Sequence, residues 1–202
     1  MSEIIKGPWP DPATPGNKPR PAAKIPGSDW ATGLVQLHAA STVLSFRPLG
    51  AADQKMLWRW LHLALWDPPP AGPRPLQVLE RPETRIYAED WGRPTDIGIA
   101  AVIDGIDAGA CWLRLLPEGV GLASVDAATP QLGIALEPEF RRQGYGKALT
   151  RRTLQEAWDR GHSQVSLTVH PLNPAIALYE ACGFRKVGER RSYHLMVAKA
   201  GS

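Results

Sequence analysis

Cysteine is almost missing from this 202-residue chain, which has only Cys111 and Cys182. The two form no CxxC pair and stand in no Cys/His cluster, which excludes a structural zinc site and a disulfide framework. Unpaired thiols suit a reducing compartment. Long apolar runs are missing too. None approaches the roughly 18 residues of a membrane span, and the first apolar pair, Ile4–Ile5, is too short for the core of a secretory signal. The chain therefore reads as soluble and cytoplasmic, with no membrane partner. Charge of one sign is also scarce. With 23 basic and 20 acidic residues the formal net charge is +3, too little to argue for nucleic acid. Hydrophobic residues make up 44%, a globular value, and the length allows one domain with a sizeable core.

Proline, by contrast, is abundant and unevenly placed. Seven of the 20 prolines fall within residues 1 to 30. Proline has no amide donor and a fixed φ, so this stretch cannot build ladders or helices. Residues 1–40 are expected to form an extended or disordered tail. Trp9 and Trp30 give it a second reading, as an arm docking on a partner or on its own domain.

The pattern changes near residue 41. "STVLSFRPLG" reads as a strand, and Met56, Leu57, Trp60, Leu61, Ala64 and Leu65 fall at helical spacing before Asp67–Pro70 stops the helix. "RPLQVLERPETRIYAEDWG" reads as helical with an interruption at Pro82. "DIGIAAVID" and "AGACWLRLL" read as strands joined by a turn at Asp104–Asp107. "QLGIALEP", "SQVSLTVH" and "RSYHLMVA" read as further strands. "NPAIALYEACGF" reads as a compact helix capped by Asn173, with Pro174 in its first position and Gly183 past its end. This order implies an α/β or α+β layer fold around one mixed sheet.

The stretch "EFRRQGYGKALTRRTLQEAW", residues 139–158, places Gly144 and Gly146 among four arginines and Lys147, at the start of an amphipathic helix. A helix N-terminus offers about four unpartnered amides and a positive dipole end. Glycines let the backbone approach a ligand, so the combination is a ready anion site. A Walker A loop is excluded because Ala148 follows Gly146-Lys147. A dinucleotide fingerprint lacks its third glycine, since Leu149 stands in that place. The pattern [RQ]-x-x-G-x-[GA] is met by Arg141-Arg142-Gln143-Gly144-Tyr145-Gly146.

Downstream context adds to this hexapeptide. "LGIALEPEFRRQGYGKALTRRTLQEA", then "VSLTV", then "NPAIALYEACGF" resemble, in order and spacing, motifs A and B of the GNAT superfamily of acyl-CoA-dependent N-acyltransferases. The resemblance covers residues 131–197 closely, with either Ala175 or Ala177 standing for the motif B alanine. Arg142 occupies a position where many relatives have glycine. The resemblance implies a single domain over residues 41–200 with a mixed, mostly antiparallel central sheet flanked by helices. Splayed strands in that sheet would form an acyl-CoA cleft. It also implies an acetyl-CoA-dependent N-acetyltransferase acting by direct attack of a primary amine, with no metal and possible homodimers. Pantetheine would lie along Ile134, Ala135 and Leu136, and the pyrophosphate on amides from Arg142 through Lys147. Asn173 would combine a cap with a contact to the cofactor, and Tyr179 would protonate the departing thiolate.

For the base, the resemblance points to the neighbourhood of Gln131, an amide that can orient a water or the amine but cannot take a proton. Asp126, Glu137 and His170 are the other candidates, with Glu137 expected to face solvent and a water chain as the remaining route. Trp58, Trp60, Trp66 and His62 form an aromatic run on the first helix. They read as core packing or as a wall of the acceptor pocket, and Tyr87 and Trp91 carry the same ambiguity. Cys111 and Cys182 read as small buried residues. The acceptor, a small molecule or a protein N-terminus, is not encoded in any motif. The absence of an acidic cluster speaks against strongly cationic polyamines. An acyl-CoA-binding regulatory module, and an interaction protein recruited through the tail, are the readings from other classes.

Overall fold

The computed structural model describes residues 42–201. The proline-rich segment, with the tail expected over 1–40 and the roles weighed for Trp9 and Trp30, lies outside the described residues. Among the described residues there are seven strands: β1 (Leu44–Pro48), β2 (Ile97–Ile103), β3 (Ile106–Arg114), β4 (Gln131–Leu136), β5 (Gln164–Val169), β6 (Arg185–Arg190) and β7 (Tyr193–Lys199). They form one sheet in the order β1-β2-β3-β4-β5-β7-β6. Every neighbouring pair is antiparallel except β4 and β5, which run parallel. The β2–β3 connection is a tight turn at Asp104 and Gly105, both in the left-handed region that such hairpins require.

Period-two alternation divides each central strand between two cores. Ile97, Ile99 and Ala101 of β2, with Cys111 and Leu113 of β3, pack toward α3 (Tyr145–Asp159) through Leu149, Leu154 and Ala157. Ala100, Ala110, Trp112 and Ala135 face the other way, against Leu57, Trp60 and Leu61 of α1 (Gln54–Ala64). Helices on both faces leave the middle strands almost wholly buried.

Three expectations about elements change. The helix expected over 74–92 is a 3-10 turn at Leu76–Glu80, then α2 (Pro82–Arg85), then turns. Pro82 holds Arg81 extended (φ −73°, ψ 133°) and restarts the helix at its own position. α4 spans only Ile176–Ala181, so Pro174 lies before its first turn. The Asn173 carboxamide oxygen accepts the Ala175 amide at 2.9 Å, capping the turn that leads into α4. β6 has no counterpart in the sequence reading. "RKVGER" carries charge at four of six positions on an exposed edge, so it lacks the apolar alternation by which a strand is recognised.

A buried ion pair fixes the route from α2 into β2. Arg114, fully buried at the end of β3, bonds Asp96 through Nε at 3.0 Å and a terminal nitrogen at 2.7 Å. Its remaining donors reach the carbonyls of Ile86, Glu89 and Asp90 at 3.2, 2.6 and 3.4 Å. Trp91 lies against the guanidinium, 5.2 Å from ring centre to Cζ.

Candidate active site

β4 and β5 share a single register pair, Gln131 with Ser166. Beyond it each strand pairs only on its outer side, β4 with β3 through Leu136 and β5 with β7 through Val169. Backbone amides and carbonyls alternate sides along a strand, so every second residue of Leu132–Leu136 presents unpaired groups to the gap. The sheet therefore opens into a cleft of about 990 Å³, lined by Leu132 and Gly133 on one side and by Leu167, Thr168, Val169 and His170 on the other.

β4 runs through a 3-10 turn, Pro138–Phe140, into α3. Two residues of this connection have positive φ, Arg142 at 64° and Gly144 at 88°, a geometry that turns successive amides into an anion-binding concavity. The Arg141 side chain folds back onto the Leu136 carbonyl (2.8 Å), and Gln143 onto that of Glu139 (2.8 Å). The expectation placed six amides here, from Arg142 through Lys147. The Lys147 amide instead bonds the Gly144 carbonyl at 3.1 Å, which leaves five amides, Arg142 to Gly146, without a backbone acceptor among the described residues. Lys147 contributes its exposed side chain.

A Cβ at Gly144 would meet nothing within 4 Å, so the position is glycine for its backbone conformation and not for space. Gly144→Val is expected to weaken acetyl-CoA binding by roughly five- to thirtyfold, since the left-handed conformation costs ~1–2 kcal/mol for a residue with a Cβ. Gly144→Asn, which tolerates that conformation, should bind nearly as the parent does. Calorimetric titration of both variants distinguishes the two cases, and equal affinities would argue against a backbone cradle.

Tyr179, on α4, borders the cleft with its ring 5.9 Å from Phe184, edge-on. Burial, reinforced by the Cys111 and Cys182 thiols, pushes the phenol well above its usual range, so it remains protonated. Asn173 and His170 line the same space. His170 Nδ1 accepts the Leu172 amide at 3.1 Å. The neutral ring then carries its proton on Nε2 and presents a donor, not a base, to the cleft.

Gln131 is buried at 2% exposure and its amide makes three hydrogen bonds. Oε1 accepts from the Tyr87 hydroxyl (3.1 Å) and the Ala123 amide (3.2 Å), and Nε2 donates to the Val120 carbonyl (2.7 Å). The Tyr87 oxygen in turn accepts the Leu122 amide at 2.9 Å, and Ser166 Oγ donates to the Ala123 carbonyl at 2.7 Å. This network holds the loop between β3 and β4 as a wall of the cleft. Gly121 sits where a Cβ would strike both Gln131 and Tyr87.

The other candidate bases lie elsewhere. Glu137, expected at the solvent, is buried and paired twice with Arg59, at 2.6 and 2.7 Å. Asp126 is tied to Thr129 (2.7 Å), the Ala128 amide (2.9 Å) and Gln164 (3.2 Å); hydrogen bonding, from Thr129 first, lowers its pKa. It does not line the cleft. Two carboxylates that no motif marked, Glu83 and Glu118, do. They were illegible because isolated acidic residues in loops and short helices read as ordinary surface.

The aromatic run divides in three. Trp60 is fully buried core, Trp58 packs partly exposed against Arg85, and Trp66 lies past the end of α1 and lines the cleft. Tyr87 also lines it, whereas Trp91 is core. His62 bonds the Arg74 carbonyl at 2.6 Å. Cys111 is wholly buried and its thiol is pushed up to about 12, chiefly by that burial, as befits a core residue.

Residues 57–184 match the family described as "Acetyltransferase (GNAT) family". A mycothiol acetyltransferase of Thermobifida fusca is 30% identical over 173 residues, covering 84% of this chain and 50% of that protein. One from Nocardiopsis dassonvillei is 29% identical over 81% of this chain and 50% of its own length. The chain thus spans about half the length of these relatives. The [ribosomal protein bS18]-alanine N-acetyltransferase of Escherichia coli is 41% identical over 71 residues, 35% of this chain and 47% of that one. The crystal structure of the Escherichia coli ribosomal-protein-S18-alanine N-acetyltransferase superimposes with a TM-score of 0.55 at 20% identity, over 79% of this chain and 96% of its own. An aminoglycoside acetyltransferase in complex with coenzyme A and kanamycin gives a TM-score of 0.54 at 17% identity, over 78% and 95%. Matched over more than half its length, this chain belongs to the acetyltransferase (GNAT) family.

Proposed function

We propose that the protein transfers an acetyl group from acetyl-CoA to a primary amine by direct attack. The observation that carries this is the parting of β4 from β5 directly upstream of an amide cradle at the start of α3. Five amides without a backbone acceptor and the α3 dipole fit a pyrophosphate, and Arg141, Arg142, Lys147 and Arg151 attract it at longer range. Ile134, Ala135 and Leu136 offer the unpaired edge that an amide-bearing pantetheine arm can use as a strand partner. Bound there, the thioester supplies an activated carbonyl. An amide on the inner edge of β4 is placed to bond the oxygen as it gains charge. Tyr179, protonated and facing the cleft, supplies the proton to the departing sulfur. Asn173, its oxygen spent on the Ala175 amide, keeps its NH2 group for the cofactor side.

The amine must lose a proton before attack. With the lone pair of His170 and the amide of Gln131 occupied, the proton leaves through water toward Glu83 and Glu118 at the cleft wall. Gln131 then acts by positioning the 119–124 loop. Relatives are named for mycothiol and for an alanine of ribosomal protein bS18, which supports an acceptor that is either a small molecule or a protein N-terminus. Two free thiols support a cytoplasmic setting, and no described helix is long and apolar enough to cross a membrane.

Calorimetric titration with acetyl-CoA, CoA and NAD tests the reading. Micromolar, salt-sensitive binding of the CoA species without NAD supports it. Failure to bind any CoA species would refute it.

A further inference from the structure

The charged lining of the cleft narrows the acceptor, on the premise that the acetyl-transfer reading holds. The turn between β6 and β7 brings Arg190 and Arg191 beside Tyr193, the register partner of Arg190, and all three line the cavity. Tyr193 stands edge-on to His170 at 5.8 Å, and His170 lies 5.7 Å from Trp66. The two arginines therefore line the same cavity as these three rings. Arg190 donates to the carbonyl of Glu189 at 3.2 Å. Neither Arg190 nor Arg191 forms an ion pair with a carboxylate among the described residues. Arg74 borders the same cavity, but Asp67 takes its guanidinium through two bonds of 2.6 Å.

The acidic groups of the cleft belong to its other side. Glu83 is on α2 and Glu118 is in the loop after β3, both fastened to β4 through Tyr87 and Gln131. The arginine turn belongs to the side of β5, which pairs with β7. Arg81, at the start of α2, also lines the cavity beside Glu83, so the α2 side carries both signs while the β6–β7 turn contributes arginines alone. The cradle residues Arg141 to Lys147 do not line this cavity, so Arg190 and Arg191 are separate from the pyrophosphate site.

We propose that the acceptor is an amine that also carries a carboxylate, of the amino-acid type, and not a polycation. Its carboxylate lies on Arg190 and Arg191, whose planar forks match that group. Its amine points across the cavity toward Glu83 and Glu118. A polyamine would set ammonium groups against two unpaired arginines, a repulsive element that sharpens the choice.

Two experiments decide. Quenching of tryptophan fluorescence in the CoA-loaded protein, with Trp66 lining the cavity, compares N-acetylglycine with N-acetylglycinamide as product-like probes. The acid is expected to bind roughly tenfold more tightly than the amide, a preference reduced to about twofold or less in the Arg190→Gln/Arg191→Gln variant. Steady-state acetylation of α-amino acids, their carboxamides and spermidine, at fixed acetyl-CoA, should show the same order in kcat/KM. Acid and amide bound alike, no binding of the acid at millimolar concentration, or spermidine as the preferred acceptor would each overturn the proposal. A protein that binds no CoA thioester instead fails the acetyl-transfer reading itself, so the two failures are distinguishable.

Discussion

Replacing Tyr179 with phenylalanine is expected to lower kcat by roughly 10²–10⁴-fold, the usual contribution of a positioned proton donor. The acetyl-CoA Kd should stay within about twofold, since in the proposed mechanism the hydroxyl acts on the departing sulfur and not on the bound thioester. The ring itself is retained, so its edge-on contact with Phe184 and its packing in the core survive the change. The pH dependence gives a second readout. Burial holds the phenol above the ordinary tyrosine value of about 10. A raised acid pKa keeps the proton on as pH increases, so no loss of rate from this group is expected between about pH 7 and 10. A plot of kcat against pH, with single-turnover measurement of the chemical step, checks both points. A phenylalanine variant with undiminished kcat would mean that the thiolate departs without this proton.

Asp96→Ala is expected to destabilise the fold by about 3–5 kcal/mol, because it strands the Arg114 charge in the core. Both partners are essentially inaccessible, with side-chain exposures of 0% and 2%. The Asp96 carboxylate also accepts the amides of Gly92 and Arg93, at 3.1 and 3.0 Å, so the turn into β2 loses its anchor as well. Replacing both members with apolar residues, Asp96→Leu with Arg114→Met, should recover only part of the loss. Such swaps are often neutral for a simple ion pair, but here the carbonyls of Ile86, Glu89 and Asp90 would lose their donor. Urea unfolding of both variants measures this, and a loss below about 1 kcal/mol for Asp96→Ala would show that the pair is not structurally important. The effect should reach the cleft. Arg114 fastens the segment carrying Tyr87, whose hydroxyl helps hold the acceptor wall through Gln131 and Leu122.

The features legible in the sequence are those with a local cause. The alternation of β2, β3 and β5, the helical spacing in α1 and α3, and the Asp-Gly turn each follow from backbone geometry acting over a few residues. Gly144 was legible for the same reason, since a positive φ at a strand-to-helix turn selects glycine wherever the fold places it. Motif order, through its resemblance to the family, then implies an acyl-CoA cleft between these elements.

What escaped the sequence has causes that act across the chain. β6 is a strand because β7 supplies its hydrogen bonds, and its charged exposed sequence carries no strand signal of its own. Glu137 reads as a loop carboxylate next to Pro138, yet Arg59, 78 positions away, pulls it out of solvent. Gln131 reads as a substitute for a base, and only its contacts with Tyr87, Val120 and Ala123 show an amide committed to holding a loop. The sequence by itself determined the family, the sheet's central strands and the glycine at the strand-to-helix turn, because short-range periodicity and backbone conformation specify them. The tertiary structure alone decided which charges meet in the cleft, because Glu83, Glu118, Arg190 and Arg191 are brought to one cavity by strand order and not by spacing along the chain.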